Sequence, residues 1–434
     1  MSLWVYSSGK CSNRASEEAD IEESVALLRP VLKCTAGHLP LDLCRLCNDT
    51  LNVFKGVLVI FMTWAHVDLT LLPPAEQYYF SLPHFIGNAA ASVCFLGFML
   101  AYGFACDGAY LSDWKERSAT DRLQRMIRSA ALPVVGAWCC AFGWGWMCFK
   151  LPLDWNTLIQ ILDFRLTLGN GPDFLLCFSV CMLVMFPLRQ LVNLGLQREY
   201  TWRRRFCVLL LLGGPLIFTQ LIVRDCTGVK KYFGYFLECT YRDAWSPVLP
   251  ALPHLLYFNI GILLARTARA LDADLKAGCG IDIFQLAVKA GGLALLALVF
   301  CYPLATVWAY NFGNLSVPTK WGPITRGFVD GPSVLWLLGN IFPVFAVLCL
   351  AFIFQYMVTS FAVGPLFWPI RALRAELANL GANVLLYLVI ADLCLAGLYR
   401  GNYGQFPLDT QGCFLMTCGV IGIARFLQYL VASK

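Results

Sequence analysis

The stretch NVFKGVLVIFMTWAHVDL, residues 52–69, decides the fold class. It is apolar for nearly the roughly 20 residues that a helix needs to cross a bilayer. Yet it carries Lys55 near one end, and His66 and Asp68 near the other. Ionisable groups inside a membrane helix are costly and mark function by default. Lys55 and His66 are eleven residues apart. Eleven steps of about 100° make three turns plus about 20°, so the two side chains share one helix face. The rise of roughly 16 Å puts Lys55 at a membrane rim, where it can snorkel, and His66 well inside.

Working outward, the same apolar character recurs along the chain. Of 434 residues, 59% are hydrophobic and 14% charged. A soluble domain has about 25% charged residues. The runs are continuous, which excludes the alternating strands of a membrane barrel. An all-α polytopic membrane protein with about ten transmembrane helices is expected. Their spans are 52–72, 87–106, 128–149, 174–195, 206–223, 250–268, 284–306, 333–359, 379–398 and 411–431. Residues 1–50 read as a cytoplasmic extension and 51–434 as the membrane domain. Residues 1–50 lack the apolar core of a cleavable signal. Residues 1–16 are basic and Ser-rich, but the acidic EEADIEE that follows disfavours a transit peptide.

The net charge of +6 reflects topology and is not a nucleic-acid signal. Basic residues cluster after the second helix (Lys115, Arg117, Arg122, Arg125, Arg128), the fourth (Arg189, Arg198, Arg203, Arg204, Arg205) and the sixth (Arg266, Arg269, Lys276). The segment between the first two helices has no Lys or Arg. The positive-inside rule then puts both termini in the cytoplasm or its equivalent. The longer loop with Arg224, Lys230, Lys231 and Arg242 weakens the pattern but counts less. Residues 107–127 read as an amphipathic surface helix entering the third span. Asn314-Leu315-Ser316 is a glycosylation triplet on the far side.

Most of the twenty cysteines lie in apolar runs, where they serve as small core residues. Cys226 and Cys239 share a hydrophilic loop and could pair in an oxidising compartment. Cys34, His38, Cys44 and Cys47 are loosely zinc-like but match no standard finger, so no metal is expected. His84 and His254, beside prolines at far-side helix ends, read as interfacial. Trp144, Trp146 and Trp155 fit interfacial aromatic belts, and Arg425 is close enough to its helix end to snorkel.

His66 has two readings, a general base reached through a cavity or a hydrogen-bonded interhelical histidine. Asp68, two residues on, points elsewhere on the helix. Asp392 lies about as deep in the ninth span, which runs in the same direction as the first. A carboxylate there would orient the imidazole, unless it is a partnered structural acid. Arg125 and Arg128 are i,i+3 neighbours that serve either a phosphate ligand or inside-positive anchoring.

Lys55 to His66 is K-x10-H, which resembles the Arg/Lys-x10-His signature of the membrane acyltransferase-3 family. Arg125-Met126-Ile127-Arg128 is similar to that family's R-x-x-R motif. Residues 94–100, CFLGFML, resemble its FF-x-S-G-F-L-L segment. GPDFLLCFSVCMLVMFPL resembles its W-F-L helix, and LANLGANVLLYLVIADL its G-x-x-S-x-x-x-Y-L segment. The matches run in order over most of residues 50–430.

The resemblance implies acyl transfer from cytoplasmic acyl-CoA, acetyl-CoA above all, to a hydroxyl of a carbohydrate or lipid-linked acceptor. His66 would be the base. Arg125, Arg128 and Lys55 would hold the CoA phosphates, and no metal is required. Membrane lipids would surround the chain. There are departures: Lys55 stands where many members have Arg, Leu96 replaces a serine, Asp173 a tryptophan, and Asn383 stands near another serine position. These fit a divergent enzyme. They equally fit a catalytically inactive, acyltransferase-like structural subunit of a larger membrane complex. A solute transporter is disfavoured by the charge-poor interior and the lack of matched interrupted helices.

Overall fold

The computed structural model describes residues 42–71, 82–111, 118–162, 172–197, 201–224, 251–277, 283–297, 299, 334–361, 364–402 and 410–432. The chain divides into two compact units, Met1–Asp42 and Leu43–Lys434. The described residues of the second are almost all helical, with no strand among them. Its elements are α1 (Leu43–Leu71), α2 (Leu82–Cys106), α3 (Ala119–Met147), α4 (Trp155–Leu162), α5 (Pro172–Gly195), α6 (Thr201–Arg224) and α7 (Ala251–Lys276), followed by α8 (Ile283–Leu296), α9 (Val334–Phe361), α10 (Trp368–Ala382), α11 (Val384–Asn402) and α12 (Thr410–Ala432). A π-helical turn, Asp107–Leu111, extends α2.

Each of the ten predicted stretches contains a helix. Among the described residues six helices are long and apolar enough to cross a membrane, or seven if α10 and α11 count as one span. That pair is bent by 82°. The predicted span 379–398 therefore contains a corner. Asn383 turns the chain there, donating its side-chain amide to Asn379 O at 3.0 Å. The surface helix before the third span is continuous with it from Ala119, and Ser118 caps the start by accepting from Asp121 N at 3.1 Å.

α1 is the central helix, packed by α2, α7, α9, α10, α11 and α12. Its Phe54, Leu58 and Val59 are wholly buried, as are Phe95 through Leu100 of α2 apart from slight exposure. Lipid tails are as apolar as leucine, so such helices associate through close packing. Glycine permits it at two crossings. A Cβ on Gly56 would collide with the Leu377 carbonyl, and one on Gly381 with the Asn52 carbonyl. α1 and α10 thus touch backbone to backbone. Gly103 meets Phe258 O, and Gly261 meets Leu100 O, in the same way between α2 and α7.

Candidate functional site: a polar rim and a deep polar layer

Hydrogen bonds sort the helix ends. The Asp107 carboxylate, just past α2, accepts from Arg266 Nε and Nη2 of α7 at 3.0 and 2.9 Å, and from Arg269. Arg266 also donates to Asn193 Oδ1 of α5 at 2.5 Å. Asn193 in turn holds Leu111 O at 3.1 Å, fixing the π turn. Tyr110 bonds Ser129 near the start of α3. Arg374 of α10 joins Gln355 of α9 at 2.9 Å and Asp49 of α1 at 3.0 Å. Arg425 of α12 pairs with Glu376 at 3.2 Å. These contacts bring the starts of α1 and α3 to the ends of α2, α5, α7, α9 and α12. Long helices that follow one another in the chain alternate in direction, and this end forms a polar rim.

The second layer is deeper. Trp144 Nε1 of α3 donates to Asp392 Oδ2 of α11 at 2.8 Å. Cys140, one turn earlier, lies beside Asp392. Cys140 lies eleven residues beyond Ser129, so the layer sits roughly 16 Å from the rim. Asp392 is fully buried. Val67, next to His66, packs in one cluster with Trp144, Leu395, Ala396 and Cys413. At the other end of α11, Tyr387 donates to Gln428 near the end of α12 at 2.7 Å. α11 therefore runs parallel to α1 and packs on it, and His66 and Asp392 belong to one layer.

Lys55 and His66 are half-buried on α1, and His66 Nδ1 is sealed from solvent. Arg125 and Arg128 lie exposed on the outer face of α3, and Arg125 is held by Asp121 at 3.0 Å. α3 packs mainly on α5 and α11, and has no broad contact with α1. The rim residues in partly buried ion pairs are Arg266, Arg269 and Arg374 instead. Reading the sequence does not single out Asp107. Its signal is an acid closing one apolar run, opposite an Arg-x-x-Arg that closes another.

Two expectations are corrected. Trp144 is not interfacial: it is buried because Asp392 needs its donor, whereas Trp146 and Trp155 are exposed. His254 is not interfacial either. It is fully buried against Phe95, edge to face at 4.5 Å. Arg425, expected to snorkel, is ion-paired at the rim. The side chain of Asp68, the Cys226–Cys239 loop, Asn314, and Cys34 and His38 lie outside the described residues.

A cavity of about 470 Å³ opens at the far end of α3, lined by Phe142, Trp146, Leu153, Asp154 and Trp155 among others. It lies on the face of α3 that carries Trp146, away from Trp144 and Asp392.

No family model matches the chain, and no curated protein or solved structure matches it. The fold and composition define an all-α, multi-pass integral membrane protein.

Proposed function

We propose that this chain is a membrane-embedded O-acyltransferase. It takes an acyl group, acetyl in the simplest case, from acyl-CoA arriving at the polar rim, which is the cytoplasmic side. It passes that group to a hydroxyl of a carbohydrate or lipid-linked acceptor. His66 removes the hydroxyl proton as the oxygen attacks the thioester carbonyl. The CoA thiolate leaves and is protonated. Asp392 favours the charged imidazole from the same layer. Lys55, on the same helix as His66, meets the CoA phosphates as a point charge; Arg125 and Arg128, on the outer face of α3, would reach only a CoA that extends along that face.

The observation that supports this reading is the shared depth of His66 and Asp392 on adjacent parallel helices in a mostly apolar interior. An ionisable residue inside a bilayer is a functional hypothesis by default. The test is turnover of labelled acetyl-CoA by the purified protein, by transfer or slow hydrolysis, with His66→Ala alongside.

A second reading is the inactive structural subunit of a larger membrane assembly. It is favoured by the 2.8 Å bond from Trp144 to Asp392, which gives the buried carboxylate a structural partner. It is also favoured by the broad apolar faces of α6 and α12, including Leu209, Ile217, Phe414 and Phe426, which suit neighbouring subunits as well as lipid.

A further inference from the structure

Trp138 and Trp146 stand about two turns apart on α3. Beyond them Lys150 takes a left-handed backbone, at φ 50°, and turns the chain. α4 then returns along α3, because Trp138 Nε1 donates to the carbonyl of Leu162, the last residue of α4, at 3.3 Å. The cavity of about 470 Å³ lies in this hairpin, lined by both helices and by the connection between them. Trp146 is 17 residues beyond Ser129 of the polar rim. The cavity is therefore roughly 26 Å from that rim, close to the level of the opposite headgroups.

The lining has a marked chemistry. Three aromatic rings, Phe142, Trp146 and Trp155, stand beside one acid, Asp154. Trp146 and Trp155 are 66% and 78% exposed, so most of each ring is open to a ligand. Among the lining side chains only Asp154 and Thr157 carry an oxygen. Asp154 Oδ1 accepts from the Thr157 backbone N–H at 2.7 Å, and that uncharged partner leaves the carboxylate its negative charge. The N-terminus of α4 offsets at most about half a charge. Trp155, Ile159 and Leu162 are exposed at i, i+4 and i+7 of α4, which gives the hairpin an apolar outer stripe. A negative charge among aromatic rings selects a cation. A primary ammonium brings three N–H donors that need acceptors, and these walls offer few. A quaternary ammonium has no donor to satisfy and is attracted to the ring faces.

We propose that the cavity between α3 and α4 binds the quaternary ammonium headgroup of a choline phospholipid, in the leaflet opposite the polar rim. Trp146 and Trp155 attract the ammonium, and Asp154 supplies the counter-charge. Lys150, exposed beside the lining Leu151, is the basic group for the lipid phosphate. The volume of about 470 Å³ falls within the roughly 300–1,000 Å³ of small-ligand sites. The ligand is a lipid and not a soluble choline ester, because the apolar stripe of α4 extends the site to the depth of acyl chains. The cavity faces away from Asp392, and the proposal is independent of acyl transfer at His66.

The test uses the full chain in nanodiscs that hold equal amounts of phosphatidylcholine and phosphatidylethanolamine with the same acyl chains. These lipids differ only in methylation of the nitrogen, and native mass spectrometry counts which is retained. The wild type is expected to retain phosphatidylcholine by about threefold or more over its competitor. Asp154→Asn removes the charge and keeps the helix cap, since asparagine caps as well as aspartate. It is expected to lose most of the preference. Trp146→Leu keeps an apolar side chain at an exposed position and is expected to lose it as well, while Trp146→Phe recovers part. Phosphocholine is titrated by calorimetry into the protein in a maltoside detergent. Its binding without any lipid preference in nanodiscs overturns the assignment to a lipid. Equal retention of the two lipids by the wild type, a preference for phosphatidylethanolamine, or an unchanged preference in folded Asp154→Asn and Trp146→Leu overturns the proposal.

Discussion

Trp144 and Asp392 lie 248 residues apart in the chain and are joined by a 2.8 Å hydrogen bond inside the bundle. The bond ties α3 to α11 at the depth of His66. Replacing Trp144 by Phe keeps the ring and removes the donor. Part of the buried carboxylate then loses its partner, which costs about 1–3 kcal/mol. Asp392→Asn combined with Trp144→Phe should be less destabilised than the sum of the two single variants. Residues in one such network couple by about 0.5–3 kcal/mol. Unfolding of the four proteins in detergent measures the cycle, and strict additivity would show that the bond contributes nothing.

The glycines divide sharply. Gly56 and Gly381 face opposing carbonyl groups, whereas Gly292 and Gly419 have nothing within 4 Å of where a methyl group would stand. Gly381→Ala must push α10 off α1 and should cost more than about 2 kcal/mol, as overpacking does. Gly419→Ala sits in an open stretch of α12 and should be neutral or stabilising by up to about 1 kcal/mol, because alanine restricts the unfolded chain. Thermal unfolding of the two variants side by side decides it. Equal effects would mean that the α1–α10 crossing is not as close as described.

Asp154 lies in the connection between α3 and α4 and caps α4. The Thr157 backbone N–H donates to its Oδ1 at 2.7 Å and holds the carboxyl below its ordinary 3.8. A lowered folded value means that the cap contributes stability above pH 3.8, and that this is lost as pH falls through the folded value. Protection of the α4 amides against hydrogen exchange, corrected for intrinsic rates, should fall below that pH in the wild type. Asp154→Ala should show lower protection at neutral pH and no such acid step. An identical acid profile in both proteins would mean that Asp154 does not stabilise the start of α4.

Much of this arrangement is legible in the sequence, for identifiable reasons. Continuous apolar runs mark the helices, since a bilayer leaves few other options. The parallel course of the first and ninth spans follows from counting crossings, and with it the common depth of His66 and Asp392. Trp144 is easily misread, because a tryptophan near the end of an apolar run looks the same whether it faces headgroups or a buried acid. The 82° corner at Asn383 is hidden because it falls only a few residues inside the predicted span 379–398, and the turn depends on how closely α10 meets α1. Asp107 escapes notice because its meaning lies in arginines about 160 residues away, which charge counting assigns to topology.

The most direct measurement is turnover of labelled acetyl-CoA by the purified wild type, beside His66→Ala and Asp392→Asn. An acyltransferase predicts measurable transfer or hydrolysis in the wild type, none in His66→Ala, and an intermediate rate in Asp392→Asn. Absence of turnover and of acetyl-CoA binding in all three proteins would contradict it. The deep layer would then be a structural tie within a membrane scaffold.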